Sequence, residues 1–482
     1  MNKSIQYFLE KVIPQLEKIY EMFMKNPKEL TKAVDEIHAA MLHLGTQFVA
    51  EMLEDCDDLL RESQIRKEKW TVKETSQKQL LTSIGTIYFR HTRFQKKNGK
   101  ETSYLLDRML GLKAHSRLSE DAKRMLLEEA VQTSYAKAGE EVSLHEPVSK
   151  ECVMELIHEL EIPNGPTVEQ KEKRQVKYLY VEADEDHTTL QFHKKKGDIK
   201  RYKNHADNGQ IVKLVYVHEG KKPLGKGRMG LKNARYFAGV YGGRKENARL
   251  WKEVNAYIEQ VYNTEKIEKI YLQADGGSWI TKGISLLGAK FVLDEFHIGK
   301  YVRKMGYASE EEKEETTEKL LTWLKEGKKK EIEEWVEREV AQKDEKKGKK
   351  LKENWEYLKK NWSGVMARMS EEEGVLGSST EGHVSHVLSS RLSSRPRGWS
   401  QHGVSQMAHL LAYKRNGGDL LVLLRKQAEE KKEKEVMFGF SSSEMISWER
   451  KHGKKMGKYV EALQGSVNLK GRARLWLDLT TL

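Results

Sequence analysis

VKYLYVEAD (176–184) and IEKIYLQAD (267–275) are two apolar, β-prone runs, and each closes on a carboxylate. A charge at the end of a buried strand incurs a desolvation cost, which is tolerable where it binds something cationic. Asp275 is followed by Gly276 and Gly277, which let a ligand come close to the backbone. Around these two runs the pattern is mixed α/β. HTTLQFH (187–193) and IVKLVYVH (211–218) read as two further strands after the first, an antiparallel meander. KENARLWKEVNAYIEQVY (245–262) reads as a helix with Trp251, Val254, Ile258 and Val261 on one face. GGSWITKGISLL (276–287) reads as a short helix and AKFVLD (289–294) as a last strand.

The order β-β-β-α-β-α-β predicts an α/β fold: a ribonuclease-H-like mixed sheet core with carboxylates at strand ends. From 298 to 375, Glu/Lys blocks alternate with Trp323, Trp335, Trp355 and Trp362, which predicts a helical insertion whose tryptophans pack a small core of its own. STEGHVSHVLSSRL (379–392) resumes as a helix, with Glu381 in its first turn.

Upstream, residues 1–70 read as helical, since Val12, Leu16, Ile19 and Phe23 recur at three- and four-residue steps. The β-rich TSIGTIYFRHTRF (82–94) precedes Asn98-Gly99, a strong hairpin signal, and the hairpin is basic. Two helical segments follow, opened by the caps Ser119 and Ser149; they suit a helix-turn-helix DNA reader or an ordinary helical hairpin. IPNGPTVEQKEKR (162–174) reads as a linker. The expected divisions are thus an N-terminal helical region (1–80), a hairpin and helix-turn-helix-like DNA-binding region (81–161), the first part of the core (175–297), the insertion (298–375), the last core helix (376–415) and a helical tail (416–482).

The 482 residues hold 86 Lys+Arg against 73 Asp+Glu, a net +13. The excess is concentrated: Gln191–Leu250 carries 16 basic residues against 4 acidic ones. Such a field marks a polyanion-binding surface, and Lys194, Lys195, Lys196, Arg201, Lys226 and Arg228 are its candidate DNA contacts. Only 38% of residues are hydrophobic, and no run approaches the ~18 apolar residues of a spanning helix, which argues against a membrane protein. The start does not read as a signal peptide. Two distant cysteines, Cys56 and Cys152, argue against a disulfide framework or a zinc site and favour a cytoplasmic setting.

Asp184, Asp275 and Glu381 are the candidate catalytic acids and metal ligands. Three converging carboxylates suit two magnesium ions ~3.5–4 Å apart, the arrangement that clamps attacking and leaving oxygens in phosphoryl transfer. Asp186 rivals Asp184, since two residues along a strand share a face.

YLYVEADEDHTTLQ, YLQADGGSWITKG, FVLDEFHIGKYV and STEGHVSHVLSSRLSSRPRGWSQHG together resemble the insertion-sequence transposases of the Lre-two type. That group is a distant relative of the Mutator-type DDE transposases. The resemblance runs from the basic hairpin to about residue 410. It implies a ribonuclease-H core interrupted by a helical insertion, with Asp184 as first acid, Asp275 as second and Glu381 as third. Asp294 and His297, in DEFH, stand at an auxiliary Cys-or-Asp-x-x-His position. The first acid departs from the pattern, being followed by Glu185-Asp186 rather than glycine, so Asp184 and Asp186 both remain open.

The function expected is that of a bacterial insertion-sequence transposase acting on double-stranded DNA, both terminal inverted repeats and target. It would use two Mg2+ ions, with Mn2+ as substitute, to cleave and then join strands, as a homo-oligomer at the nucleoid. Arg391, Arg395 and Trp399 are candidates to grip the DNA ends, guanidinium on phosphate and indole on an unpaired base. A domesticated non-catalytic DNA-binding protein, or a nuclease of the same fold that cuts without joining, are the alternatives.

Overall fold

The structure, a computed structural model, describes residues 3–430 except 114, 143–146, 164–171, 192–200, 203–204, 207, 226, 308–312, 371 and 396–397, together with 447–448 and 450–451. It has two compact units: 1–130 with 134–153 and 424–482, and 131–133 with 154–423. Most of the expected tail (416–482), much of the linker, and Lys194, Lys195, Lys196 and Lys226 lie outside the described residues. Among the described residues no helix is long and apolar enough to cross a membrane.

The first unit begins with helices over Lys3–Lys25 and Leu30–Glu62. The second of these packs on a hairpin of Trp70–Thr82 and Gly85–Lys96, burying Ala50, Leu60, Trp70, Leu80, Ile87, Phe89 and Phe94 together. Asn98-Gly99 does turn the chain, but only into the three-residue strand Thr102–Tyr104. The long partner strand, WTVKETSQKQLLT, exposes most of Thr71–Gln77 and has too few apolar residues to announce itself. Ser119 and Ser149 cap as expected, accepting from the amides of Ala122 and Cys152. The segment after Ser119 is two helices rather than one, Glu120–Ala130 and Tyr135–Glu141, the second opened by Ser134.

The second unit is α/β around a mixed sheet. Its strands are β1 (Tyr178–Leu190), β2 (Gly209–His218), β3 (Arg235–Gly239), β4 (Lys269–Ala274) and β5 (Lys290–Leu293), in the order β3-β2-β1-β4-β5. The first three pair antiparallel; β1, β4 and β5 pair parallel. Helix α1 (Gly243–Val261) leads into β4, and α2 (Ile280–Leu287) into β5. The sequence order thus recurs with one exchange. The first four residues of HTTLQFH extend β1 rather than opening a strand of their own; Phe192 and His193 lie outside the described residues. The third strand is RYFAG, hidden inside the basic stretch.

Alternation along β1 sorts its side chains. Leu179, Val181 and Ala183 join Leu250, Trp251, Val254 and Ile258 of α1 in one core. Glu182, Asp184 and Asp186 face the other way. After β5, the described residues form five helices, α3 (Glu295–Gly306), α4 (Lys313–Lys325), α5 (Lys329–Ala341), α6 (Glu345–Lys360) and α7 (Trp362–Met369). Their core holds Trp335 and Trp355 fully buried, with Trp323 and Trp362 packed against it. Helix α8 (Thr380–Val384) then runs through a π turn (Ser385–Ser389) to Leu392, and α9 (Gln401–Arg415) follows a short strand, β6 (Gly398–Trp399), that pairs with the end of β1.

Candidate active site

Strand register sets the site. Ala274 of β4 pairs with Ala183 of β1 on one side and with Leu293 of β5 on the other. The next residue along the chain is an aspartate in each case, so Asp184, midway along β1, stands abreast of Asp275 and Asp294, which follow the ends of β4 and β5, with ~4.8 Å between strands. Crevices beyond the carboxyl ends of parallel strands are where α/β sheets bind ligands.

Each aspartate is held differently. Asp275 accepts from the Gly277 amide (2.9 Å), while its carbonyl accepts from the Tyr357 hydroxyl of α6. Gly276 turns the chain at φ 79°, and a Cβ there would lie 2.5 Å from Asn361 Oδ1. Asp294 is fully committed: Oδ1 caps α3 through the Phe296 amide (2.7 Å), and Oδ2 accepts from Ser378 Oγ (2.8 Å). Among the described residues, Asp184 has only the neighbouring Glu185 amide (2.8 Å) on its Oδ1. Burial, and then the negative charges of Asp275, Glu381 and Asp294, push its carboxyl up to about 7 against that single lowering hydrogen bond. Glu381 therefore acts on Asp184 from the first turn of α8, where it is itself exposed.

The two other carboxylates on this face of β1 fasten the helix that carries Glu381. Glu182 is fully buried and accepts from Tyr216 Oη (2.8 Å), His218 Nε2 (3.0 Å), the Ser379 amide (2.8 Å) and Thr380 Oγ1 (3.0 Å). Burial alone would raise its carboxyl; His218, the Ser379 amide and Tyr216 outweigh that and hold it at about 2. Asp186 accepts from Ser389 Oγ (3.0 Å) and Ser393 Oγ (2.8 Å) at the far end of the same helix. Asp184, in the middle, is the carboxylate left to the cluster, which favours it over Asp186.

Glu182, His218 and Arg368 were not signalled by the sequence. Arg368 donates to Gln273 Oε1 (2.6 Å) and the Leu376 carbonyl (2.5 Å), tying β4 to the segment entering α8. His297 lies on α3 with Nδ1 buried and without a hydrogen-bond partner among the described residues. Arg391 and Trp399 are both buried, the guanidinium 4.8 Å over the indole ring, and the indole donates to the Leu392 carbonyl (3.0 Å). They pack the end of the Glu381 helix and offer no open face to a base. Arg395 and Arg228 are exposed; the side chain of Arg201 lies outside the described residues.

The donors suit a hard divalent cation: oxygen ligands only, with an excess of negative charge that, among the described residues, no cation offsets at Asp184. Among the described residues no three His, Cys, Asp or Glu side chains already surround one point. Glu381 is exposed on the first turn of α8.

Residues 23–433 match the family described as "Uncharacterised protein family (UPF0236)". A UPF0236 protein of Caldanaerobacter subterraneus subsp. tengcongensis, whose name carries eleven locus designations, is 36% identical over 408 residues, 84% of this chain and 82% of the relative. Another from the same organism, with four designations, is 35% identical over 428 residues, 87% of this chain and 86% of the relative.

Proposed function

The chain belongs to the UPF0236 family, and from that premise we propose that it is a DNA transposase of a bacterial insertion sequence, of the Lre-two type. In this reading the sheet is a ribonuclease-H-like core interrupted by the helices of 295–369. The reading rests above all on Asp184 and Asp275 standing abreast on adjacent parallel strands with Glu381 in their field. A second support is the relative whose single protein carries eleven locus designations. Recurrence of one sequence at many loci is what a DNA segment that copies or moves itself leaves behind.

Asp184, Asp275 and Glu381 would hold two Mg2+ ions, or Mn2+ in their place. When bound, such ions supply an acidified water and stabilise the leaving oxygen of a phosphodiester. The chain's own residues do the rest. Asp184, its carboxyl raised to about 7, would be held ionised by a cation beside it. Asp275 is aimed by the Gly276 turn and the Tyr357 hydroxyl. Asp294 caps α3 and holds Ser378, so it orients rather than coordinates. No serine, tyrosine or cysteine nucleophile is needed, because water and then a DNA 3′-hydroxyl attack. Exposed Arg395 and Arg228 suit phosphate contacts. Joining two ends to a target calls for more than one copy of the chain.

The test is incubation with Mg2+, a labelled element end and a target plasmid. Joined product supports the transposase; cut but unjoined ends indicate a nuclease of the same fold; binding without either indicates a non-catalytic DNA-binding protein.

A further inference from the structure

Among the described residues, nothing covers one line of the surface of the helix Leu30–Glu62. Leu30, Val34, Ile37, Met41, Phe48 and Met52 are each 39–57% exposed, with Leu44 half-buried between them. The other sides are in use. Ala33, Ala40, Ala50 and Leu60 are buried, the last two within the hairpin's core, and the helix Ile13–Lys25 packs alongside. From 30 to 48 the apolar steps alternate four and three residues, the heptad spacing that keeps a seam facing one partner helix. A helix facing a broad core shows a wider stripe. Past Met52 the line meets Asp55, and the seam ends.

We propose that this seam is the contact between two copies of the chain, paired as a two-stranded coiled coil. The flanking positions argue for a second copy. Of these, Ala33 and Ala40 are already buried, and the remaining flanks, Thr31, His38, Gly45 and Gln47, include no lysine, arginine, aspartate or glutamate. A strongly charged partner would find no opposite charge there. A chain of net +13 can meet its own copy on this face without setting like charges against each other. A seam used by both copies alike is self-complementary, as a two-fold contact requires. The inference stands on this helix alone and does not depend on the phosphoryl-transfer reading.

Sedimentation of the full chain across micromolar concentrations tests it. A species of twice the 55.9 kDa chain mass is expected, and Ile37→Glu with Met41→Glu should return it to the single-chain mass with an unchanged circular dichroism spectrum. A wild-type chain that stays monomeric throughout, or a folded double variant that still pairs, overturns the proposal. Should the double variant unfold, Met41→Cys decides. Met41 is the midpoint of the seam and meets its counterpart in a parallel or a centred antiparallel pair. Oxidation should link two copies of Met41→Cys and not of wild type, which already carries Cys56 and Cys152; absence of that link overturns the proposal.

Discussion

Asp184 and Asp275 each stand one residue beyond a matched pair, Ala183 and Ala274, on adjacent parallel strands. The sheet therefore sets two carboxylates side by side before any ligand arrives, and burial first, then the charges of Asp275, Glu381 and Asp294, pushes the carboxyl of Asp184 up to about 7.

Replacing either aspartate by asparagine should remove charge at almost constant shape. Strand cleavage and joining are expected to fall at least ~10³-fold, as for loss of a group acting on the transition state. The metal-free protein should melt no lower than wild type, because repulsion is relieved. Gel assays of cleavage beside calorimetry check both halves.

Stability should respond to pH in two opposed ways. The carboxyl of Asp184 is raised in the folded chain, so its contribution is fully present below about 3.8 and is lost as pH rises through about 7. Each tenfold change in proton affinity is worth ~1.4 kcal/mol, so this contribution amounts to at most about 4 kcal/mol. Glu182 is depressed, so its contribution is present above about 4.5 and is lost as pH falls through about 2. Denaturant titrations of the metal-free protein should show stability declining from pH 4 to pH 8 in wild type and not in Asp184→Asn. Mg2+ should stabilise wild type more at pH 8 than at pH 6, because the ligand must be deprotonated.

Glu182→Gln should be the most damaging of the carboxylate changes to the fold. It takes one charged acceptor from His218, Tyr216, the Ser379 amide and Thr380 at once, and breaking such a buried cluster costs ~3–5 kcal/mol. Asp186→Asn, with two serine donors at the helix's other end, should cost less. Thermal melts of the two variants compare the anchors.

Gly276→Ala should be costly out of proportion to one methyl group. The residue sits at φ 79°, and the new Cβ would press on Asn361 Oδ1. A loss of over ~1 kcal/mol, with activity falling further than stability explains, is expected from denaturant melts and cleavage assays.

The sequence made the site legible where apolar runs stop at a carboxylate: YLYVEAD, IYLQAD and FVLD are three such stops, and register alone sets them abreast. It did not separate Asp184 from Asp186, because alternation puts both on one face; Ser389 and Ser393, distant in the chain, engage Asp186 Oδ1 and so support Asp184 in the proposed reading. Glu182 looked like one more acid in an acidic run, since nothing local reveals its partners: Tyr216 and His218 on the next strand, and Ser379 and Thr380 far along the chain. RYFAG was masked by the surrounding lysines and arginines. Trp399 and Arg391 looked like DNA contacts by residue type, and their mutual packing depends on a strand end that no periodicity announces.

The central claim is that Asp184, Asp275 and Glu381 share divalent cations. Calorimetric titration of Mn2+ into the full chain at pH 8 tests it most directly. Saturable binding is expected, weakened at least ~10-fold by Asp184→Asn, Asp275→Asn and Glu381→Gln alike, and little changed by Asp186→Asn. Binding left intact by Asp275→Asn, or no binding by the wild-type chain, would contradict the account.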